Sequence, residues 1–245
     1  MRKWQTQEDF ASLIWPRNSL DMAVALTSPS LFPEKRGGFV LALWHQRIVD
    51  PVTGGQVGLE ILLHHAKEVL EITHSAGTLV ETEQYILREA WKRARSSPQL
   101  LVFVNVTAET MAAERLPFWP EDSPRNLVLE LTESRSFDAE KVERWLFPYR
   151  EQGLQVALDD FGTGFNQFER CSYLRPDFLK INWMGHEETM RAALSFAKEM
   201  LSRVILERVA TERQAEWAKR QSVGLVQGYF YHRPEPLSPS VVMIP

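Results

Sequence analysis

The stretch LQVALDDFGTG, Leu154 to Gly164, runs from apolar residues into two adjacent acids and then a glycine-bounded turn. A short, nearly continuous apolar run reads as a strand buried on both faces, as parallel sheets require. Asp159 and Asp160 stand where that strand stops, and Gly162 and Gly164 allow the backbone to turn sharply behind them. Working outward, the same form recurs in FVLALWH, QVGLEILL, LLVFVNV, NLVLELT, DFLKIN, RVILE and VGLVQGYF. Between these runs lie helical patterns: Leu79 to Arg95, with Ile86, Leu87, Ala90 and Trp91 on one face, then Ala139 to Tyr149, Glu188 to Leu201 and Glu212 to Arg220. Strand and helix in alternation predict a parallel sheet with crossover helices.

With LQVALDD included the chain carries eight strand candidates, which favours a closed barrel over an open doubly wound sheet. One departure from the regular pattern is expected at its start. Pro51 and Gly54-Gly55 separate the first two strands at hairpin spacing, so those two should run antiparallel. Before them, Gln7 to Trp15 and Leu20 to Leu26 read as helices, followed by a Ser, Pro and Gly-rich loop. The expected organisation is a helical lead-in over residues 1–37 and one barrel domain over residues 38–240.

The 245 residues carry a net charge of −4 and a single cysteine, Cys171. Hydrophobic residues at 44% support a sizeable core and exclude a disordered or collagen-like chain. An acid excess without a long Lys/Arg run argues against duplex nucleic acid as a partner, because counterion release needs a basic surface. The N-terminus lacks the apolar core of a signal peptide, and no run reaches the ~18 apolar residues of a membrane span. One cysteine cannot form an internal disulfide. These features point to a cytoplasmic chain.

Active sites of parallel barrels lie at the C-terminal ends of the strands. The polar residues there are Glu60, Asn105, Glu130, Asp159 and Asp160, Lys180, Glu207 and Gln227, in strand order. A carboxylate removed from water costs several kcal/mol unless it is paired or metal-bound. Any one acid at a strand end is ordinarily a rim residue, but five converging beside one lysine call for compensating cations. Oxygen ligands of this type suit Mg²⁺ or Mn²⁺. Other chemistries fail on residue type. Gly162-Thr163-Gly164 resembles part of a dinucleotide fingerprint, yet Gln167 stands where the third glycine belongs, and two acids would repel a pyrophosphate. His64 and His65 are adjacent and cannot face one metal from one helix, no nucleophile elbow occurs, and Cys171 reads as a packing residue.

Taken in order, these residues resemble the EAL domain family, phosphodiesterases of the bacterial messenger cyclic di-GMP, from about Phe39 to Pro236. The resemblance rests on Gln46 in HQRIVD, Glu60-Ile61-Leu62, Asn105 in FVNVT, Glu130 to Glu133 in ELTES, DDFGTG, Lys180 in FLKIN, Glu207 in ILERVAT and Gln227-Gly228-Tyr229. It implies a (β/α)8 TIM-like barrel with one antiparallel strand, two divalent cations, and hydrolysis of cyclic di-GMP to linear pGpG. By the same resemblance Glu60, Asn105, Glu130 and Asp159 would hold one ion, and Asp159, Asp160 and Glu207 the other. Lys180 would orient the attacking water, Glu133 would steady the loop after Asp160, Gln46 and Leu62 would meet the ligand, and Gln227 would join the metal shell.

The departures are specific. His64 replaces the family's phosphate-gripping arginine, which implies weaker ligand binding, since a largely neutral imidazole cannot supply a bidentate fork. Arg208 and Ala210 replace a glycine and a second acid, and Asn182 replaces an aspartate. Two segments are shorter than the family pattern, after His65 and between Lys180 and Glu207; the second falls where many members form homodimers, which argues against that pairing here. A slow phosphodiesterase is therefore expected, with a catalytically silent cyclic di-GMP receptor or protein-interaction module as the alternative.

Overall fold

In the computed structural model, which describes residues 39–114, 116–131, 138–162 and 167–244, the apolar runs become strands at the expected places. They are β1 (Phe39–Val49), β2 (Gln56–Leu63), β3 (Leu101–Val106), β4 (Leu127–Leu131), β5 (Gln155–Leu158), β6 (Phe178–Asn182), β7 (Arg203–Glu207) and β8 (Leu225–Val226). From β2 to β8 each strand pairs in parallel with the next. β1 closes the barrel by pairing antiparallel with both β2 and β8. The hairpin that reverses β1 into β2 is held by Asp50, whose carboxylate accepts from the N–H groups of Val52 and Thr53, and by Gly54 at φ 69°. The antiparallel start is thus as expected. Residues Ala42–Ser240 form one compact unit.

The helices on the outside are α1 (Ala66–Ser75), α2 (Leu79–Ser96), α3 (Ala108–Ala112), α4 (Ala139–Glu151), α5 (Gln167–Leu174), α6 (Glu187–Glu199) and α7 (Glu212–Arg220). The four expected from periodicity match to within two residues at either end. α2 buries Leu79, Ile86, Leu87, Ala90 and Ala94, a stripe at helical spacing. α7 starts on a capping box in which Thr211 and Gln214 satisfy each other's backbone N–H. α1 and α3 were not expected: α1 buries only Thr73, and α3 is a single short turn, so neither carries a legible apolar stripe. A ninth strand, β9 (Glu235–Ile244), stands last in the sheet order, after β1. Its Pro236 and Pro239 break the usual strand pattern, but an edge strand tolerates proline on its unpaired side. The lead-in helices lie outside the described residues.

Inside the barrel the side chains form layers. Ile48, Phe103, Val128, Ala157, Phe178, Ile205 and Leu225 make one buried apolar cluster, one residue from each of β1 and β3 to β8; in β2 Gly58 pairs with Ile48. Two residues farther toward the C-terminal mouth, about 6–7 Å along each strand, every one of these positions is followed by a polar residue. In β1, which runs the other way, that residue is Gln46. In the others they are Glu60, Asn105, Glu130, Asp159, Lys180, Glu207 and Gln227. The period of two puts them all on the inner face, so the apolar layer is the floor on which the polar ring stands.

Candidate active site

The ring is centred on Lys180, which is 1% exposed. Its Nζ lies 2.8 Å from Glu130 Oε2, 2.9 Å from Glu207 Oε1, 3.2 Å from Glu60 Oε2 and 3.8 Å from Asp159 Oδ1. Burial works to strip the lysine of its proton, but the four surrounding carboxylates outweigh it and hold the ammonium charged well above its usual range. One cation does not balance four carboxylates. Burial, then Glu60 alongside, pushes Glu130 well above the ordinary carboxylate range, and burial raises Glu207 against the pull of Lys180.

Neutral amides complete the ring. Asn105 Nδ2 donates to Glu60 Oε1 at 2.9 Å, and Gln227 Nε2 donates to Glu60 Oε2 at 2.6 Å and to Gln46 Oε1 at 3.1 Å. Gln46 Nε2 donates in turn to the carbonyl of His232 at 2.8 Å. Gln46, read from the sequence as ligand-contacting, thus has both ends of its amide engaged within the protein. Leu62, one strand step nearer the mouth, is half-buried.

Behind β5 the chain turns at Asp160, in the left-handed region at φ 51°, and continues through Gly162 at φ 97°. The turn is pinned by Asp160 N–H donating to Asp159 Oδ1 and by Phe161 N–H donating to the carbonyl of Lys180, at 2.8 and 2.9 Å. It sets both acids on the ring, and ligand oxygens of Asp159, Asp160 and Glu207 all fall within 4.8 Å of one another. Asp160 Oδ1 also accepts from Asn182 Nδ2 and lies 3.9 Å from Arg208 Nη2. Asn182 and Arg208 were legible only as departures from a pattern; that Asn182 faces the ring follows from its place two residues beyond Lys180. Glu133 and the end of DDFGTG, residues 163–164, lie outside the described residues.

The donor set fits hard divalent cations. It is almost wholly oxygen, it carries a surplus of negative charge, and Glu130 Oε1 and Gln227 Oε1 are buried without a hydrogen-bond partner. Burial first, and then neighbouring carboxylates, push Glu130, Glu207 and Asp160 upward against the pull of Lys180, so a divalent ion bound here would favour their charged forms. A second trio, His45, His232 and Glu235, is different in kind. The Arg47 N–H donates to His232 Nδ1 at 3.3 Å, which leaves the ring proton on Nε2, facing Glu235 Oε1 at 3.2 Å. In this neutral tautomer that nitrogen donates a hydrogen bond to Glu235 and has no lone pair to offer a metal.

At the mouth His64 does not stand as a substitute cation. Its ring stacks on Trp44, centroids 4.6 Å apart and planes within 4°, and meets His65 edge-on at 4.0 Å. Burial and then His65 lower its pKa, which keeps it neutral. Cys171 is buried, and burial pushes its thiol up to about 12, as fits a packing residue. Among the described residues no helix is long and apolar enough to cross a membrane.

Comparison with known proteins gives the same answer from another direction. The chain is 33% identical over 236 residues to the probable cyclic di-GMP phosphodiesterase PdeN of Escherichia coli K12, covering 83% of this chain and 45% of that one. With the probable cyclic di-GMP phosphodiesterase PdeB of the same organism it shares 28% identity over 154 residues, covering 58% and 30% of the two chains. The chain thus spans less than half the length of these relatives. Among solved structures, the PaMucR phosphodiesterase in complex with c-di-GMP superposes with a TM-score of 0.70 at 26% identity, covering 80% of this chain and 97% of that one. The Bacillus subtilis YkuI protein, in complex with c-di-GMP and calcium, shares the fold with a TM-score of 0.66 at 21% identity, over 82% of this chain and 56% of that one. EAL phosphodiesterases depend on divalent metal. The family model for the EAL domain matches residues 39–234, the span from the first barrel strand to just beyond the ring's last member, and the chain belongs to the EAL domain family.

Proposed function

We propose that the chain is a divalent-metal-dependent phosphodiesterase that hydrolyses cyclic di-GMP to linear pGpG. The observation that carries this reading is the buried ring itself: Glu60, Glu130, Asp159 and Glu207 around Lys180 at the mouth of a closed barrel, with Asp160 beside them. Glu60, Asn105, Glu130 and Asp159 are assigned to one Mg²⁺ or Mn²⁺ ion, and Asp159, Asp160 and Glu207 to a second. Bound there, such ions lower the pKa of a water and stabilise the attacking and leaving oxygens of an in-line displacement.

The chain's own residues supply position and charge. Lys180, held protonated by its neighbours, acts as a donor and not as a base: it orients the attacking water and offsets charge gathering on the phosphoryl oxygens. Gln227 and Asn105 fix the orientation of Glu60, and Gln46 in turn holds Gln227. Leu62, at the mouth, is assigned to contact the ligand, and Glu133 to steady the loop after Asp160. Water adds at phosphorus, one P–O3′ bond breaks, and the freed 3′-oxygen leaves with a proton. Residues 38–240 are assigned to this domain and residues 1–37 to a lead-in; a cytoplasmic location accords with the free thiol of Cys171.

Purified protein incubated with cyclic di-GMP and Mg²⁺ or Mn²⁺ should yield pGpG by chromatography, and Glu60→Ala should not. A silent receptor is the second reading, favoured by the neutral Trp44–His64 stack at the mouth. Tight binding of cyclic di-GMP with no pGpG at high enzyme concentration selects it.

A further inference from the structure

Arg208 directly follows Glu207 at the end of β7, and its φ of 57° lies in the left-handed region that strains any residue with a Cβ. The backbone around it is fixed. Trp183 N–H donates to the carbonyl of Glu207 and Val209 N–H to that of Gln227, both at 3.1 Å, and Val209 is wholly buried. The fold therefore holds a long cationic side chain in a strained position on the rim, a kind of strain that collects at functional sites.

Its guanidinium, about half exposed, ends 3.9 Å from Asp160 Oδ1, too far for a hydrogen bond, and that oxygen already accepts from Asn182. Among the described residues none of the five N–H donors of Arg208 makes a hydrogen bond, and no other arginine is ion-paired to the ring or to Asp160. Lys180 is sealed at the bottom of the cup at 1% exposure. An anion approaching five carboxylates from the open side meets Arg208 as a cation at the rim beside Asp160.

We infer that Arg208 is a substrate-binding residue whose guanidinium, lying beside Asp160, takes the non-bridging oxygens of a ligand phosphodiester. The inference rests on the function proposed above. Once Asp160 serves a divalent ion its charge no longer holds the guanidinium, and the planar fork matches two phosphate oxygens in a way that a point charge does not.

The test is calorimetric titration of the full chain with cyclic di-GMP in Ca²⁺, alongside thermal melting without ligand. Arg208→Gln and Arg208→Gly should each weaken binding by about ten- to a hundred-fold, the loss of one charge-assisted bidentate contact. Arg208→Lys should fall between them and the parent. Arg208→Gly, which suits the left-handed backbone, should melt no lower than the parent, separating loss of contact from loss of fold. Binding by Arg208→Gln within twofold of the parent overturns the inference and leaves the proposed function standing. So does an affinity loss in Arg208→Gln that Arg208→Gly restores. A parent chain that binds no cyclic di-GMP overturns both.

Discussion

The ring and the rim occupy the same strands one side-chain step apart, yet they are built on different terms. Ring residues are buried or partly buried and bonded to one another: Glu130 is fully buried, and Glu60 accepts from two amides and lies beside Lys180. Rim residues are more open to solvent, and departures from the family pattern gather there, at His64, Arg208 and Ala210, with Asn182 buried just beneath them. The ring is a coupled electrostatic unit, in which changing any member leaves a buried charge or donor without its partner. The rim meets solvent and ligand, where a changed side chain alters affinity without unbalancing the interior. Under the proposed function, chemistry would belong to the ring and binding to the rim.

The sharpest way to break that contrast is Lys180→Met. It should abolish pGpG formation and destabilise the metal-free chain by about 3–5 kcal/mol, the usual cost of leaving buried charge uncompensated. Urea unfolding with and without Mn²⁺ checks the cause, because added ion should recover much of the loss. Stability unchanged in the absence of metal would show that the ring is not coupled as described.

Next in size is Gly228→Ala, which tests how ring and rim are joined. Gly228 sits at φ 154°, and a Cβ there would come 2.2 Å from the carbonyl oxygen of Val209. Relieving the clash must push apart the segments carrying Gln227 and Arg208, so a loss of about 2–3 kcal/mol by denaturant titration is expected. His64→Arg addresses the rim alone. A charged fork in place of the stacked imidazole should tighten cyclic di-GMP binding by up to about tenfold with turnover at saturation unchanged. A change in saturated turnover instead of affinity would mean that the mouth takes part in the chemical step.

The smallest effect concerns a buried carboxylate away from the ring. Glu83, on α2, accepts from the N–H and hydroxyl of Thr107, which directly precedes α3 just beyond Asn105. Burial raises its pKa above the unfolded value. The native state then holds the proton more tightly than the unfolded chain, so the stability it contributes is full below the unfolded pKa and is lost as pH rises through the folded one. Glu83→Gln should be more stable than the parent near neutral pH, by less than about 1 kcal/mol, and converge with it near pH 4. Denaturant titrations across pH 4 to 8 would show this, and parallel curves for the two proteins would contradict it.

Much of the fold was legible because its signals are local. Near-continuous apolar runs marked β1 to β8, helical spacing marked α2, α4, α6 and α7, and Pro51 with Gly54-Gly55 marked the hairpin. β9 was not legible, because two prolines hide an edge strand from any pattern built on paired ones. Of the site, every ring residue but Gln46 could be named from its position at a strand end; Gln46, inside β1, was named only through the family resemblance. The hold of Asn182 and Arg208 on Asp160 could not, because three strands, β5, β6 and β7, bring those side chains together.

What the sequence alone determined is the identity of the polar layer and its place above an apolar one, since a period of two within each strand decides which side chains share a face. Only the tertiary structure decided which of those residues meet. That Lys180 sits among four carboxylates, that Asp159, Asp160 and Glu207 lie within reach of one ion, and that His64 lies flat on Trp44 all depend on the stagger of strands around a closed barrel. That stagger is a property of the whole ring of backbone hydrogen bonds, and no single segment encodes it.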